Sequence, residues 1–546
     1  MSSKLAAQVL VDKFISYGIE YIFCVPGASI DPILNVLKEI DSPKLILCHH
    51  ESTAGYMATA YGKITGKPAV VMATAGPGAT NLVSSIATAH SEHAPLIAIT
   101  GQMDSKTTYK PSHQIIDAED MFHPISKWSI EVRNINTLEG IWDFAYQTAI
   151  EKFYGPVHIA IASDLLKTPI EPSSEKIVST LEHKLQADIA VIKDAADLIK
   201  ASKRPLIMAG GGIANEVNAK VIRELVKSAN IPVIATFEGA GVLSRELEHK
   251  FMGRLGVFQN QPCDELIKLS DLIITIGYNV AELDPLLWSK NHRILHIDDV
   301  SAIVGEGYRP ILQVLGDIKL NLTHLLNNYD YVPDIDKAYI DLEVSVRSNL
   351  AKRFTDYNVK PEKVHPLQII HDLKQVVTDD NTIVTDVGSH QYWMSEYFYT
   401  YKPRYFLSSM GFQTMGVSLP FAIASALVRP QHKVFSVSGD GSFLMCLMEL
   451  ATAVKLNLPL VHLVWKDTSF NLVEIQEVKK YGCSSGAVFG SNIDFAMFAK
   501  SFGAIGITVT RSEELLPALK EAIKANGPVI IDILVDYSDN HKIVNA

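Results

Sequence analysis

Short apolar strands alternate with amphipathic helices along most of this 546-residue chain, and this alternation limits the possible folds more than any other feature. In the first third, runs rich in β-branched and apolar residues predict five strands with helical segments between them, at 21–25, 44–48, 69–73, 96–100 and 157–162. Strands joined by helical crossovers run parallel to one another. The predicted fold class is therefore α/β, with doubly wound parallel sheets.

The same alternation recurs in two further segments, which predicts three domains. At ~150 to 200 residues per domain, a chain of this length has room for about three. Polar stretches at 165–188 and 331–363 predict the linkers, so we expect domains at 1–170, 188–330 and 364–546. Further strands are predicted at 205–209, 232–236, 272–276, 293–296, 382–385, 433–438, 459–465, 504–509 and 528–534.

Composition and charge exclude several classes of protein. The net charge of -11 and the lack of a basic block argue against a nucleic-acid partner, because phosphate backbones favour clustered Lys and Arg. No apolar run approaches ~20 residues, so we expect no membrane span. The N-terminus lacks an apolar signal core, which predicts a cytoplasmic protein. Five scattered cysteines without a Cys-x-x-Cys pair indicate reduced thiols rather than disulfides or a zinc site.

Two acidic residues follow two neighbouring predicted strands. The turn Gly439-Asp440-Gly441-Ser442 comes after the strand at 433–438, and Asp467 ends the strand at 459–465. Parallel sheets bind ligands beyond the carboxyl ends of their strands, so both carboxylates can meet at one divalent cation beside a phosphate. A lone glycine-acid turn would be interpreted as an ordinary strand end. The second acid favours a site for a metal ion and a diphosphate.

The spacing of these acids resembles the cofactor motif of thiamine-diphosphate-dependent enzymes, and the chain is similar to that family along nearly its whole length. The resemblance implies thiamine diphosphate and Mg²⁺ as cofactors. It also implies a pyrimidine-binding, a central and a diphosphate-binding domain, in that order. As protein ligands of Mg²⁺ it implies Asp440, Asp467 and the backbone carbonyl of Ser469.

The resemblance implies further site residues. The phrase His-Glu-x-x-Ala-x-x-Met-Ala-x-Ala-x-Gly, beginning at His50, resembles the pyrimidine-domain signature and makes Glu51 the glutamate that contacts the aminopyrimidine ring. Without the family, Glu51 would be interpreted as a carboxylate that favours a helix N-terminus. Ser389 and His390 would be interpreted as helix caps, and Met415 would be interpreted as a core residue. The implied cofactor contacts are Glu51, Thr74, Gly388, Ser389, His390, Gln413, Met415, Gly439, Asp440, Gly441, Ser442, Asp467, Ser469 and Phe470.

Within the family, the chain resembles the catabolic, flavin-free acetolactate synthases. The phrase Pro111-Ser112-His113-Gln114 is similar to their His-Gln phrase and makes Gln114 a catalytic candidate. The segment 253–262 resembles the same branch, so no FAD is expected. The implied reaction is condensation of two pyruvate molecules to 2-acetolactate with release of carbon dioxide, through a thiamine-diphosphate carbanion and enamine. The implied assembly is a homodimer or homotetramer with active sites between subunits.

Several positions depart from the family pattern. Lys466 adjoins a metal ligand, where repulsion of ~1 to 4 kcal/mol at 4 Å would weaken Mg²⁺ binding unless its side chain points away. Phe470, Asn471, Pro111 and Met410 stand where Tyr, Asp, Arg and Asn are common, which leaves the substrate open. The alternative is a related carboligase or decarboxylase acting on another 2-oxo acid or an aldehyde. A third hypothesis is a cofactor-binding protein without catalysis, against which the retained acids argue.

Overall fold

Three six-stranded parallel sheets, each with helices around it, make up this protein. The computed structural model describes residues 3–107, 113–172, 185–256, 258, 261–305 and 307–544. Within these residues, every strand pair in the three large sheets is parallel. The predicted fold class is confirmed.

The N-terminal unit has the strand order β3-β2-β4-β5-β7-β6, and a small antiparallel pair, β1-β8, joins its two ends. Its elements are β1 Lys4–Leu5, α1 Ala6–Ser16, β2 Tyr21–Cys24, α2 Asp31–Leu37, β3 Lys44–Leu47, α3 Glu51–Thr65, β4 Ala69–Ala73, α4 Pro77–Ser91, β5 Leu96–Gln102, α5 Ala118–Phe122, β6 Trp128–Val132, α6 Leu138–Ile150, β7 Pro156–Ala162, α7 Ser163–Leu166 and β8 Pro169–Ile170.

The central unit has the strand order β11-β10-β9-β12-β13-β14. Its elements are α8 Ile189–Ala201, β9 Pro205–Ala209, α9 Glu216–Ala229, β10 Val233–Ala235, β11 Phe251–Arg254, α10 Asp264–Leu269, β12 Leu272–Ile276, β13 Ile294–Asp298, β14 Leu312–Leu315 and α11 Ile318–Asn328. The helix α12, Lys337–Arg353, leads from this unit to the next.

The C-terminal unit has the strand order β16-β15-β17-β18-β20-β19. Its elements are α13 Pro366–Val376, β15 Thr382–Thr385, α14 Ser389–Tyr397, β16 Phe406–Leu407, α15 Ser418–Val428, β17 Val434–Gly439, α16 Asp440–Phe443, α17 Leu450–Lys455, β18 Leu460–Lys466, α18 Asn471–Tyr481, α19 Phe495–Ser501, β19 Ile505–Val509, α20 Ser512–Lys524 and β20 Val529–Leu534.

The inner strands of the sheets are apolar on both faces, because helices cover both faces of each sheet. In β4, Val71 and Ala73 belong to one core, whereas Val70 and Met72 belong to another on the opposite face. The first of these cores extends into the C-terminal unit, where it includes Phe421 of α15. The N-terminal and C-terminal units therefore share one continuous core, formed around α3, α4 and α15.

The predicted strands are present, with ends shifted by at most two residues. Strands β6, β11, β14 and β16 of the three large sheets were not predicted, because each is short or partly polar and lies at a sheet edge. The two-residue strands β1 and β8 were not predicted either. Domain boundaries at 170, 188, 330 and 364 stay predictions, and part of the first linker lies outside the described residues.

The described part of the chain contains no helix that is both long enough and apolar enough to span a bilayer.

Candidate functional site

The two predicted acids lie together at the carboxyl ends of β17 and β18, which are hydrogen-bonded neighbours. Asp440 is buried, with Oδ1 accepting from the backbone N–H of Gly441 at 2.9 Å. Its Oδ2 accepts from the backbone N–H of Thr468 at 2.7 Å and of Asp467 at 3.3 Å. The turn after β18 is thus tied directly to the carboxylate after β17.

Asp467 is held by the residues that follow it. Its Oδ1 accepts from the Ser469 backbone N–H at 3.3 Å, and its Oδ2 accepts from Ser469 Oγ at 2.9 Å and Asn471 Nδ2 at 2.7 Å. Burial and the nearby Asp440 charge raise the pKa of Asp467 to about 7. Burial also raises the pKa of Asp440. In the described chain neither acid forms an ion pair with Lys, Arg or His, so a bound cation would relieve their repulsion.

The oxygen atoms at this edge suit a hard divalent cation. The described residues contain no cluster of three or more His, Cys, Asp or Glu side chains of the kind that binds a metal unaided. Two carboxylates and the Ser469 carbonyl, which accepts no hydrogen bond from the described residues, leave an octahedral ion open to ligand and water oxygens. This donor set fits Mg²⁺ bound together with a diphosphate.

Lys466 points away from the acids. Its Nζ donates to Asp532 Oδ2 at 3.0 Å and to the carbonyl of Ile493 at 3.1 Å. Consecutive strand residues face opposite sides of a sheet, so Lys466 and Asp467 point apart. Lys466 thus meets the condition under which the sequence predicts no repulsion of a metal ion.

A turn after β15 lies beside the glycine-acid turn. Gly388 has φ +151°, and a Cβ at that position would lie 2.7 Å from the His390 ring. His390 also lies against Gly439, because a Cβ added to that glycine would lie 3.4 Å from the His390 ring. Burial lowers the pKa of His390 to about 3, and Nε2 of its neutral ring has no hydrogen-bond partner in the described structure. A buried ring nitrogen without a partner fits a bound polar group at this place.

Hydrogen bonds among the side chains of Ser389, Asn471 and Asn540 link the turn after β15 to the metal-binding acids, because Asn471 also donates to Asp467. Ser389 Oγ donates to Asn471 Oδ1 at 2.9 Å, and Asn540 Nδ2 donates to both. Trp393 Nε1 in turn donates to Asn540 Oδ1 at 2.6 Å. Sequence reasoning treated Asn471 only as a departure and missed Asn540 as a site residue, because their contacts join segments about 70 to 150 residues apart.

Phe470 and the small residues of the acid turn pack closely. A Cβ on Gly441 would lie 2.5 Å from Phe470 Cε1, so the ring occupies the space that a side chain would need. Ser442 Oγ donates to the Gly439 carbonyl at 3.2 Å and stays inside the turn. Phe470 therefore packs against the turn, and the Ser442 hydroxyl lies within it.

The segment before α15 carries the two remaining candidates of this unit. Gln413 is exposed and has φ +52°, and Met415 is half-buried. The buried Asp386 accepts from the backbone N–H of Gly416 and of Ser418, each at 2.9 Å, which fixes the end of the segment at the helix start. Both candidates therefore lie on a loop anchored beside the turn after β15.

The pyrimidine-domain candidates form a second group. Glu51 is buried in the first turn of α3, and its Oε2 accepts from Asn81 Nδ2 at 2.9 Å. A Cβ on Gly78 would lie 3.3 Å from Glu51 Oε1, so the glycine leaves space beside that oxygen. Thr74 shares a 2.8 Å hydrogen bond with Ser29.

The expected catalytic Gln114 lies near this second group. It has φ +60°, and a Cβ on Gly76 would be 2.9 Å from its Cβ. Pro111 and Ser112 lie outside the described residues. Gln114 thus stands beside the loop that opens α4, whose first turn also supplies Asn81.

Glu449 is a buried residue that sequence reasoning missed. It comes from the C-terminal unit, yet its Oε1 accepts from the backbone N–H of His49 at 2.7 Å, of His50 at 3.1 Å and from Thr53 Oγ1 at 2.6 Å. His50 Nδ1 also accepts from the Ser52 backbone N–H at 3.2 Å and so caps the start of α3. The start of α3, and with it Glu51, is held by both units.

The two groups do not touch each other within one chain. Among the described residues, no hydrogen bond or ion pair joins Glu51, Asn81 or Gln114 to Asp440, Asp467 or His390. A ligand that contacts both groups would have to span them.

Comparisons with known proteins agree with this arrangement. Three family models match: the N-terminal, central and C-terminal domains of thiamine pyrophosphate enzymes, at residues 5–121, 192–325 and 386–533. The chain is 37% identical to an acetolactate synthase of Bacillus subtilis over 541 residues, covering 98% of this chain and 94% of the relative. It is 35% identical to a catabolic acetolactate synthase of Raoultella terrigena over 539 residues, covering 98% and 95%. The chain belongs to the thiamine-diphosphate-dependent enzyme family.

Proposed function

We propose that this enzyme condenses two pyruvate molecules to 2-acetolactate and carbon dioxide. The observation that carries the proposal is the pair Asp440 and Asp467, two neighbouring carboxylates that lack a cationic partner in the described structure and lie beside the unpartnered His390 ring nitrogen. The similarity to acetolactate synthases extends over 98% of the chain and supports the choice of reaction.

The residues that hold the cofactor follow from the two groups. Asp440, Asp467 and the Ser469 carbonyl would bind Mg²⁺, while Gly388, Ser389, His390 and the backbone of 439–442 would bind the diphosphate. Thiamine diphosphate, when bound, supplies the electron sink for decarboxylation. Met415, with Gln413 and Thr74, would shape the space between the groups, and Phe470 would close it above Gly441.

Glu51 is the residue proposed to hold and move a proton. Asn81 fixes its Oε2, and Gly78 leaves room at its Oε1, so the free oxygen can face the aminopyrimidine ring. Gln114 would donate a hydrogen bond to the substrate. Glu51→Gln keeps the shape and the Asn81 contact but removes the acid, so we expect at least a ~100-fold loss of turnover with little loss of stability.

The test is pyruvate consumption by purified protein with thiamine diphosphate and Mg²⁺, with acetolactate measured as product. Pyruvate consumed without acetolactate would refute the condensation and favour the alternative, a related carboligase or decarboxylase. Phe470, which is more apolar than the expected Tyr, favours screening longer 2-oxo acids and aldehydes in the same assay. Binding of the cofactor without any turnover would favour a non-catalytic protein.

We propose that FAD is not a cofactor. The loop after β9 would offer its backbone N–H groups to a phosphate, but the N–H of Gly211 already donates to Glu282 at 2.9 and 3.0 Å. Thr236 Oγ1 donates to the same carboxylate at 2.5 Å. Part of the segment 253–262 lies outside the described residues. A flavin absorbance band in the purified protein would contradict this proposal.

We propose a homodimer or homotetramer with each site between two subunits, because no hydrogen bond or ion pair among the described residues of one chain joins the group of Glu51 to that of Asp440. Mixing Glu51→Gln with Asp440→Asn subunits tests this. After random exchange about half of the dimers contain one subunit of each variant, and one of the two sites in such a dimer has both residues intact, so about a quarter of all sites would be active. If each site lay within a single chain, mixing would restore no activity.

We also propose a cytoplasmic location, consistent with five cysteines that are all free thiols.

A further inference from the structure

Arg254, the last residue of β11, carries a buried charge without an acidic partner. Its residue is 3% exposed. Nη1 donates to the Ser395 carbonyl in the last turn of α14 at 2.7 Å, and the guanidinium carbon lies 4.6 Å from the centroid of the Phe406 ring. These contacts satisfy one edge and one face of the guanidinium. No Asp or Glu of the described chain forms an ion pair with it.

The nearest surface charges are already balanced. Glu248 is exposed and accepts from the Tyr401 hydroxyl at 2.8 Å. Arg245 and Lys374 both interact electrostatically with Glu248, and Arg245 also pairs with Asp379 at 2.6 Å. The buried guanidinium is therefore the excess positive charge of this region.

A small cavity of about 20 Å³ adjoins this charge. Its lining includes Arg254, Tyr399 and Thr400, together with Glu248, whose charge Arg245 and Lys374 balance. Arg254, Tyr399 and Thr400 each have a buried polar atom without a partner in the described structure: Nε, the phenol oxygen and Oγ1. All three atoms can donate hydrogen bonds. A volume of this size holds one or two water-sized particles and no polyatomic anion such as phosphate.

We propose that this cavity binds one monovalent anion of halide size, chloride in the cell. A water molecule would satisfy the donors but leave the buried charge uncompensated, whereas a halide does both. The ion would lie between the central unit, through Arg254, and the C-terminal unit, through Tyr399 and Thr400. It would thus stabilise the junction of these two units, independently of the proposed reaction.

Crystals grown with bromide in place of chloride test the site directly. The expected result is an anomalous bromine peak in contact with Arg254 Nε. Electron density without an anomalous signal, fully accounted for by a water molecule, would overturn the proposal.

Thermal unfolding tests the same site in solution. At constant ionic strength, replacing gluconate by chloride is expected to raise the unfolding temperature of the wild type by about 1 to 3 °C. Arg254→Met should lose this halide-specific shift, while Arg245→Met, which removes a nearby exposed guanidinium, should keep it. An equal response of wild type and Arg254→Met would refute the site. If Arg254→Met does not fold, the bromide crystal of the wild type decides.

Discussion

At the scale of single residues, the surroundings of Asp467 determine how the two carboxylates at the acid edge are oriented. The acid edge is the sheet edge that carries Asp440 and Asp467. Lys466 and Asp467 are adjacent in sequence but face opposite sides, so the lysine pairs with Asp532 on the side away from the acid. Thr468, directly after Asp467, has φ +65°, which is rare for a β-branched residue. That conformation directs its N–H towards Asp440 Oδ2. The local backbone strain thus serves to orient an acid.

Replacing Lys466 by Met should destabilise the fold without strengthening Mg²⁺ binding. The change leaves the 1%-exposed Asp532 side chain unpaired, and breaking a buried pair in this way costs about 3 to 5 kcal/mol. Chemical denaturation measures the loss, and magnesium-dependent cofactor titration should give an unchanged affinity. The double variant Lys466→Met with Asp532→Leu should recover most of the stability. A clear rise in magnesium affinity would show that the lysine does repel the ion.

Replacing Thr468 by Asn should stabilise the apo protein. Asn tolerates the left-handed conformation better than a β-branched residue, by about 1 kcal/mol, and the backbone N–H to Asp440 is retained. The free energy of unfolding checks this. Thr468→Val, which keeps the branching, is the matched control and should show no gain. A gain of equal size in the Val variant would mean that strain is not the cause.

At the scale of elements, helix α3 depends on the other end of the chain. Its first turn carries Glu51, but the carboxylate that satisfies the N–H groups of His49 and His50 is Glu449, about 400 residues later. Those N–H groups precede the helix, and the buried Glu449 carboxylate is the acceptor that they share. The position of the proton-handling residue is therefore set by contact between two domains.

Glu449→Ala should lower both stability and turnover. It removes the shared acceptor of two backbone N–H groups and one of the two acceptors of the Thr53 hydroxyl, at a cost of about 2 to 4 kcal/mol. Glu449→Gln keeps an acceptor oxygen and should retain more than half of that stability. Denaturation curves and turnover under saturating cofactor measure the two effects. Equal losses in the Ala and Gln variants would indicate that charge, rather than hydrogen bonding, is essential.

At the scale of the whole molecule, the three units meet around a set of buried charges. Lys63 Nζ of α3 donates to Glu92 at 2.5 Å, to Glu238 of the central unit at 2.9 Å, and to the carbonyl of Ser408 at 3.0 Å in the C-terminal unit. A cavity of about 430 Å³ lies at this junction, and Glu282 is on its wall. Burial raises the pKa of Glu282 to about 8.

Glu282 should make stability fall with rising pH. Its pKa is about 8 when folded and 4.5 in its ordinary state, so the native protein binds more protons between those values. The stability that this proton provides is fully present below pH 4.5 and is lost as pH rises through 8. Glu282→Gln should flatten the slope of unfolding temperature between pH 5 and 8. Glu216→Gln, on the exposed part of the same cavity wall, is the control and should leave the slope unchanged. Equal slopes in the wild type and in Glu282→Gln would show that Glu282 does not cause the pH dependence.

The sequence by itself determined the sheets and the acid edge. Apolar runs separated by amphipathic helices require parallel strands covered on both faces, because only burial on both sides makes such runs stable. Residues at consecutive strand ends then meet at one edge, so Asp440 and Asp467 could be placed together from strand order alone. The orientation of Lys466 also followed from strand alternation, although the expectation of repulsion left it open.

Only the tertiary structure decided which distant residues support that edge. Asn540 donates hydrogen bonds to Asn471 and Ser389. Glu449 accepts from the backbone at the start of α3, and Glu282 accepts from the backbone N–H of Gly211. Each contact joins segments between about 70 and 400 residues apart, and no local periodicity encodes which polar side chain meets which backbone group. Local sequence dictates where a strand ends, whereas the packing of whole domains selects the partners of buried polar groups.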